Sequence, residues 1–284
     1  MPSDVQNIHW FPGHMAKTRR IIKESLKLVD IVAEIIDARI PVSSRNPELS
    51  GIIENKPRIV LLNKCDVADE KRTNHYLEQI KSSGSYAIAV DCRSGSGLNK
   101  LLPLSKVILK DKIASWKQKG MKNHPMRFMV VGIPNVGKSS FINRMVKSSK
   151  AKVADKPGVT RGNQWFTISN NAEILDTPGV LWPKIDDKEV SKKLAFTGAI
   201  KDEIIDIQEL ALSLIDTIKP LYLYNINERY KMIFNDRSSA YDMLTAIAKK
   251  RGFFASGRTV DYERAAVMIL DEFRSGTLGR ITLE

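Results

Sequence analysis

The spacing of hydrophobic and polar positions changes several times along this 284-residue chain. After a basic opening, Met15-Ala16-Lys17-Thr18-Arg19-Arg20, the apolar residues Ile21, Ile22, Leu26 and Val29 recur at helical spacing and predict an amphipathic helix. Ile31–Asp37 and Arg58–Leu62 are short β-branched or apolar runs, the pattern of parallel strands buried on both faces. Between them Asn46–Asn55 fits a short crossover helix. A helix over Ala68–Ser83, a strand over Tyr86–Val90 and one long amphipathic helix over Gly97–Trp116 follow, and Lys117–Pro125 reads as a basic linker. Met126–Val131 predicts a strand, Ser139–Val146 a helix, and Ala172–Leu175 a strand ending at Asp176. Strands alternating with helices in this way predict an α/β fold, a mostly parallel sheet with helices on both faces. From about Asp187 the strand signals fade and several helices are predicted, with Ala240–Arg251 and Val260–Arg274 the most sharply patterned.

Composition changes this picture in one respect. A hydrophobic fraction of 43% and a charged fraction of 27% are those of a globular protein. The charge balance is not ordinary: 45 Lys+Arg against 32 Asp+Glu give a net charge of +13, which points to a polyanionic partner, nucleic acid first. Two cysteines, Cys65 and Cys92, provide no disulfide framework and suit a reducing compartment. No apolar run approaches the roughly 20 residues of a membrane span. Met1–Trp10 has neither a secretory nor a transit pattern, so a cytoplasmic chain without a membrane partner is expected.

The chemistry is concentrated in a few loops. Gly132-Ile133-Pro134-Asn135-Val136-Gly137-Lys138-Ser139 follows a predicted strand and opens a predicted helix, the setting of a phosphate-binding loop. The backbone around Asn135, Val136, Gly137 and Ser140 would cradle phosphates, Lys138 would reach the β- and γ-phosphates, and Ser139 would ligate Mg²⁺. Asn63-Lys64-Cys65-Asp66 reads guanine. The Asp66 carboxylate accepts from the ring N1–H and the exocyclic amine, the Asn63 amide meets the base edge, and adenine offers the wrong donors and acceptors. Asp91-Cys92-Arg93-Ser94-Gly95 follows a strand, where a backbone N–H near Cys92 and Arg93 would meet guanine O6. Downstream, Thr160 in Lys156–Thr160 would contact Mg²⁺ and the γ-phosphate. In Asp176-Thr177-Pro178-Gly179, Asp176 would hold a Mg²⁺-bound water and the Gly179 N–H would touch the γ-phosphate. The bound nucleotide is therefore expected to be GTP or GDP. The guanine reader precedes the phosphate loop, the reverse of the order in ordinary GTPases, and so predicts a circular permutation.

Trp10-Phe11-Pro12-Gly13-His14-Met15, then Asp37-Ala38-Arg39-Ile40-Pro41-Val42-Ser43-Ser44-Arg45-Asn46-Pro47, together with this motif order, resemble the bacterial ribosome biogenesis GTPase A family (YlqF type). Leu181-Trp182-Pro183-Lys184 and Thr197-Gly198-Ala199-Ile200-Lys201 extend the resemblance over nearly the whole chain. It implies a cytosolic GTPase, monomeric off the ribosome, that binds the precursor of the large ribosomal subunit, its rRNA and its proteins, and promotes a late assembly step. Subunit-stimulated hydrolysis would then drive release. The expected organisation is a basic segment over 1–25, a circularly permuted GTPase domain over 26–186 and a helical RNA-binding domain over 187–284. Lys17, Arg19 and Arg20, with Lys249, Lys250 and Arg251, are the candidate RNA contacts. Val180 stands where Ras-like enzymes place the glutamine that orients water, and the resemblance assigns that role to His14; Asn135 in Gly-Ile-Pro-Asn-Val-Gly resembles the phosphate-loop asparagine of potassium-stimulated GTPases and is a candidate K⁺ ligand. The alternative is a GTP-gated rRNA-binding scaffold in which hydrolysis is incidental.

Overall fold

In the computed structural model, residues 20–53, 56–121, 124–148, 164–176, 185, 187–200, 202 and 206–284 are described. Residues 20–26 are helical (α1) and bury Ile22 and Leu26. The sheet is built from β1 (Ile31–Asp37), β2 (Arg58–Asn63), β3 (Tyr86–Ala89), β4 (Met126–Val131), β5 (Gln164–Ser169) and β6 (Ala172–Asp176). Its order is β3-β2-β1-β4-β6-β5, with every neighbouring pair parallel except β5 with β6. Every residue of β1 is buried, as expected of a central strand covered on both faces.

Helices α2 (Pro47–Ile53), α3 (Glu70–Ser82), α4 (Leu101–Ile108), α5 (Lys110–Gln118) and α6 (Lys138–Ser148) connect the strands. Local chemistry fixes where several begin. Pro47 opens α2, where its missing N–H costs nothing, and the Asn46 side chain accepts from the Glu48 N–H at 3.0 Å. Asp69 caps α3 by accepting from the Arg72 N–H. The long helix predicted over Gly97–Trp116 is instead a 3-10 turn, α4 and α5. The chain leaves helical geometry at Leu109 (φ −97°, ψ 16°), whose side chain is buried in the core. α5 runs on to Gln118, so Lys117 belongs to a helix and not to a linker.

The last part of the chain is helical: α7 (Lys188–Phe196), α8 (Ile207–Tyr230), α9 (Ala240–Lys250) and α10 (Tyr262–Ser275). Asp187, Asp206, Ser239 and Asp261 cap these four helices through their side chains, each worth about 1 kcal/mol. Pro220 removes one backbone donor inside α8, and the helix kinks at Tyr222 (φ −127°). One hydrophobic cluster runs from β1, β2 and β4 through Phe141 into α8, α9 and α10, so the helices share a core with one face of the sheet. Among the described residues, no helix is long and apolar enough to cross a membrane.

Candidate functional site: a nucleotide pocket braced by the helical region

β2 ends at Asn63 and β4 runs into the loop 132–137, so both motifs lie at the carboxyl ends of parallel strands, where open α/β sheets bind ligands. Asn63 is buried and uses both ends of its amide on protein. Nδ2 donates to the Val136 carbonyl at 2.6 Å, and Oδ1 accepts from the Cys92 N–H at 3.0 Å. One side chain thus fastens together the guanine motif, the phosphate loop and the loop after β3. The sequence places this amide at the base edge; in this structure both of its ends are engaged by protein. Gly137 passes so close, at φ 103°, that any side chain there would collide with Asn63 Nδ2.

Lys64 turns the chain at φ 62°, a left-handed conformation that costs a non-glycine residue about 1–2 kcal/mol. Two contacts hold it: its Nζ lies 3.0 Å from Asp37 Oδ2 and donates to the Asn135 carbonyl at 2.9 Å. Asp66 follows and is exposed, as is Arg93. The Asp91 carboxylate fixes the loop after β3 by accepting from the Arg93 N–H at 2.7 Å and the Ser94 N–H at 3.1 Å. Cys65 and Cys92 are both free thiols, and burial pushes Cys92 up to about 12, so it is an inert group inside the pocket wall.

Lys138 opens α6 and donates from Nζ to the Ile133 carbonyl at 2.8 Å. Burial, opposed by the Asp176 carboxylate, pushes its ammonium down to about 8. An incoming phosphate would restore the full charge, since an adjacent anion favours the protonated form. Ser139 and Ser140 are exposed on the first turn of α6, and Asp176 closes β6. Ser139 and Asp176 are hard oxygen donors beside a phosphate loop, a set that fits Mg²⁺. His14, Thr160, Gly179 and Val180 lie outside the described residues, as do Lys17 and Arg19. Of the other candidate RNA contacts, exposed Arg20 pairs with Glu24 at 3.2 Å. Lys249 is exposed, Lys250 Nζ donates to the Lys231 carbonyl, and Arg251 lies over the Tyr230 ring at 5.6 Å.

Residues that carry no role in the sequence motifs tie this pocket to the helices. Asp37 and Arg39 are each about 1% exposed and form a bidentate pair, with Arg39 Nε 2.9 Å from Oδ1 and Nη2 2.7 Å from Oδ2. Burial alone would raise the Asp37 pKa, but Arg39 and Lys64 together outweigh it and hold the carboxyl well below its usual range. Arg39 continues outward: Nη1 donates to the Arg274 carbonyl at 3.2 Å, and its guanidinium lies over the Phe273 ring at 5.2 Å. The guanine-motif lysine is therefore linked through two ion pairs to the last turn of α10.

Beyond α10 the chain returns to the guanine motif. Arg280 Nη2 donates to the Cys65 carbonyl at 3.0 Å and Nε to the Ala68 carbonyl at 2.8 Å. The Ile281 N–H donates to the Val67 carbonyl at 3.1 Å. Gly276 (φ 81°) makes the approach possible, because a side chain there would run into Val67. Tyr222, at the kink in α8, donates its hydroxyl to the Thr282 carbonyl at 3.1 Å and holds the segment from the far side. On the phosphate side, Asn135 (φ 59°) donates from Nδ2 to the Gly198 carbonyl at 2.5 Å, and a cavity of about 490 Å³ between these elements is lined by Lys64, Asn135, Thr197 and Arg274.

Arg280→Ala is therefore expected to loosen the guanine loop from outside the pocket. Two hydrogen bonds from a half-exposed side chain contribute roughly 1 kcal/mol between them, so GDP release should quicken about fivefold. Displacement of a fluorescent GDP checks this. Arg280→Lys should retain part of the effect, and unchanged release would show that the loop holds its shape alone.

A phosphate loop between strand and helix, joined side chain to backbone with an Asn-Lys-x-Asp loop on a parallel sheet, defines a P-loop GTPase. Comparison with known proteins agrees. A family model described as a 50S ribosome-binding GTPase matches residues 127–248. Ribosome biogenesis GTPase A of Priestia megaterium is 46% identical over 98% of this chain and 96% of its own length; that of Thermotoga maritima is 33% identical over 97% and 93%. The GDP-bound structure of T. maritima YlqF superposes with a TM-score of 0.67 at 30% identity, covering 93% of this chain and 98% of that one. The chain belongs to the ribosome biogenesis GTPase A family.

Proposed function

We propose that this GTPase binds the immature large ribosomal subunit, promotes a late step of its assembly, and leaves when the subunit stimulates GTP hydrolysis. The observation that carries the reading is the seam just described. Asn135 of the phosphate loop bonds to Gly198 of the helical region, and Lys64 of the guanine motif reaches α10 through Asp37 and Arg39. A nucleotide that moves either loop acts directly on the helices, which is what a GTP-gated grip requires. Circular permutation accounts for this contact, because it places the segment after Asp176 immediately before the helical region.

In this reading the backbone of Val136–Ser140 and Lys138 hold the phosphates, Asp66 selects guanine, and Thr160 and Gly179 respond to the γ-phosphate. Mg²⁺, held by Ser139, Thr160 and Asp176, supplies charge neutralisation on the phosphates when bound. His14 orients the attacking water in place of the residue that Val180 cannot supply, and Asn135 Oδ1 is the candidate K⁺ ligand. The chain works as a cytoplasmic monomer off the ribosome, and its net charge of +13 serves rRNA contacts from both ends of the sequence. Co-sedimentation with large-subunit precursors tests this: association should be strong with a non-hydrolysable GTP analogue, weak with GDP, and steeply salt-dependent. Equal binding in both nucleotide states would contradict it. Val180 favours one second reading, a scaffold whose GTP hydrolysis is incidental, and turnover with subunits separates the two.

A further inference from the structure

The nucleotide loops occupy the carboxyl ends of the strands; a different feature lies at the opposite end of the sheet. There a cavity of about 480 Å³ is lined by Lys106, Lys110, Trp116, Lys117, His124 and Met121. It reaches Met126, the first residue of β4, and Asn171 in the β5–β6 turn, about 17 Å from the phosphate loop along a six-residue strand. Trp116 and His124 stack in it, ring centroids 4.4 Å apart and planes 26° from parallel.

The surroundings are cationic beyond what their carboxylates balance. Lys106, Lys110 and Lys117 are exposed on α4 and α5, and Lys112, whose Nζ lies 5.7 Å from the Trp116 ring centroid, pairs with Asp30 at 2.6 Å. Lys56 packs nearby, donating to the Val29 carbonyl at 2.7 Å. Burial and then the neighbouring Lys112 charge push its ammonium below the usual range, a sign that the cations here are crowded. Asp111 is the one carboxylate on α4 and α5 themselves. Met121 is 42% exposed beside the stacked rings, so the cavity combines an apolar floor, a flat π surface and a rim of lysines.

We propose that this cavity is a binding site for single-stranded RNA, separate from the nucleotide pocket. Single strands are held by this combination: cations follow the phosphates while bases extend an existing aromatic stack, and neither contact needs a particular sequence. A solvated lysine face would need neither a recess nor stacked rings. The inference rests on the ribosome-assembly reading, and it adds a contact surface on the sheet side of the molecule to those at the two ends of the chain.

The test uses the full chain and a short fluorescent oligouridine, read by anisotropy at several salt concentrations. Reversing the rim with Lys106→Glu, Lys110→Glu and Lys117→Glu should weaken binding about tenfold or more and flatten the log–log salt slope by about 2, the share of three single-strand phosphate contacts. A control with the same change in net charge, Lys23→Glu, Lys71→Glu and Lys81→Glu at exposed positions elsewhere, should stay within about threefold of the unmodified chain. Trp116→Phe should abolish most of the tryptophan quenching that oligouridine causes, with basal GTP turnover kept in every variant as the sign of an intact fold. Equal loss in the rim and control variants would reduce the effect to net charge and overturn the proposal, as would no loss in either. Rim-dependent capture of phosphatidylserine vesicles without capture of oligouridine would overturn it in favour of a membrane surface. Failure of the unmodified chain to sediment with large subunits would instead defeat the ribosome-assembly reading, with the oligouridine result still deciding the cavity.

Discussion

Asp66→Asn is expected to lower GTP affinity by about 10²-fold or more and to turn the pocket toward xanthosine triphosphate. In the proposed reading the Asp66 carboxylate accepts two hydrogen bonds from guanine, from the ring N1–H and the exocyclic amine. The amide offers a donor where an acceptor is needed, and that donor suits the 2-oxo group of xanthine. The fold should be unharmed, because Asp66 is exposed and the loop keeps its shape through Lys64, which is held by Asp37 and the Asn135 carbonyl, and through Arg280 on the Cys65 and Ala68 carbonyls. Parallel titrations with GTP and xanthosine triphosphate decide the matter. Unchanged GTP affinity would remove Asp66 from the site.

The second large effect concerns hydrolysis. Valine at position 180 has no group with which to orient water, and His14 is the residue proposed to replace it. His14→Ala should bind GTP and subunits normally, hydrolyse GTP at an unchanged basal rate, and lose about 10²-fold of the subunit-stimulated rate, the usual cost of deleting a group that positions water or stabilises transition-state charge. Single-turnover hydrolysis on purified subunits is the measurement. A variant that is stimulated in full would move the missing group onto the ribosome.

Much of the fold was legible because buried parallel strands write themselves as largely apolar runs. β1, β2 and β4 could be read directly from Ile31–Asp37, Arg58–Leu62 and Met126–Val131. β5 was not predicted: Gln164–Ser169 is an edge strand, antiparallel and half-exposed, so its mixed composition carries no clear period. The long helix predicted across Leu109 failed for a different reason. The chain breaks helical geometry to bury that leucine, and a pattern count cannot distinguish one helix from two that share a face. α8 had a weak signature because apolar residues such as Leu221 and Tyr224 also occupy its exposed face. The family resemblance, read from the residues around Trp10–Met15 and Asp37–Pro47 and from the order of the motifs, is borne out by the relatives.

At the site, the loop letters declared themselves because each chemical role demands a residue type at a fixed spacing. The bracing did not. Arg39 and the Arg274 carbonyl are 235 positions apart, and Arg280 and the Cys65 carbonyl 215, so no local pattern could pair them. One signal was available: two opposite charges, Asp37 and Arg39, placed two residues apart at the end of a mostly apolar strand, where burial is tolerable only as a pair.

Hydrolysis by this GTPase is proposed to be governed by the large ribosomal subunit, and multiple-turnover GTP hydrolysis with and without purified large subunits tests this most directly. The expected result is a slow intrinsic rate that rises by about 10²-fold when subunits are added, consistent with a catalytic arrangement completed only on the partner. The same slow rate in the presence and absence of subunits that demonstrably bind the protein would contradict it, and would leave a GTP-gated scaffold in its place.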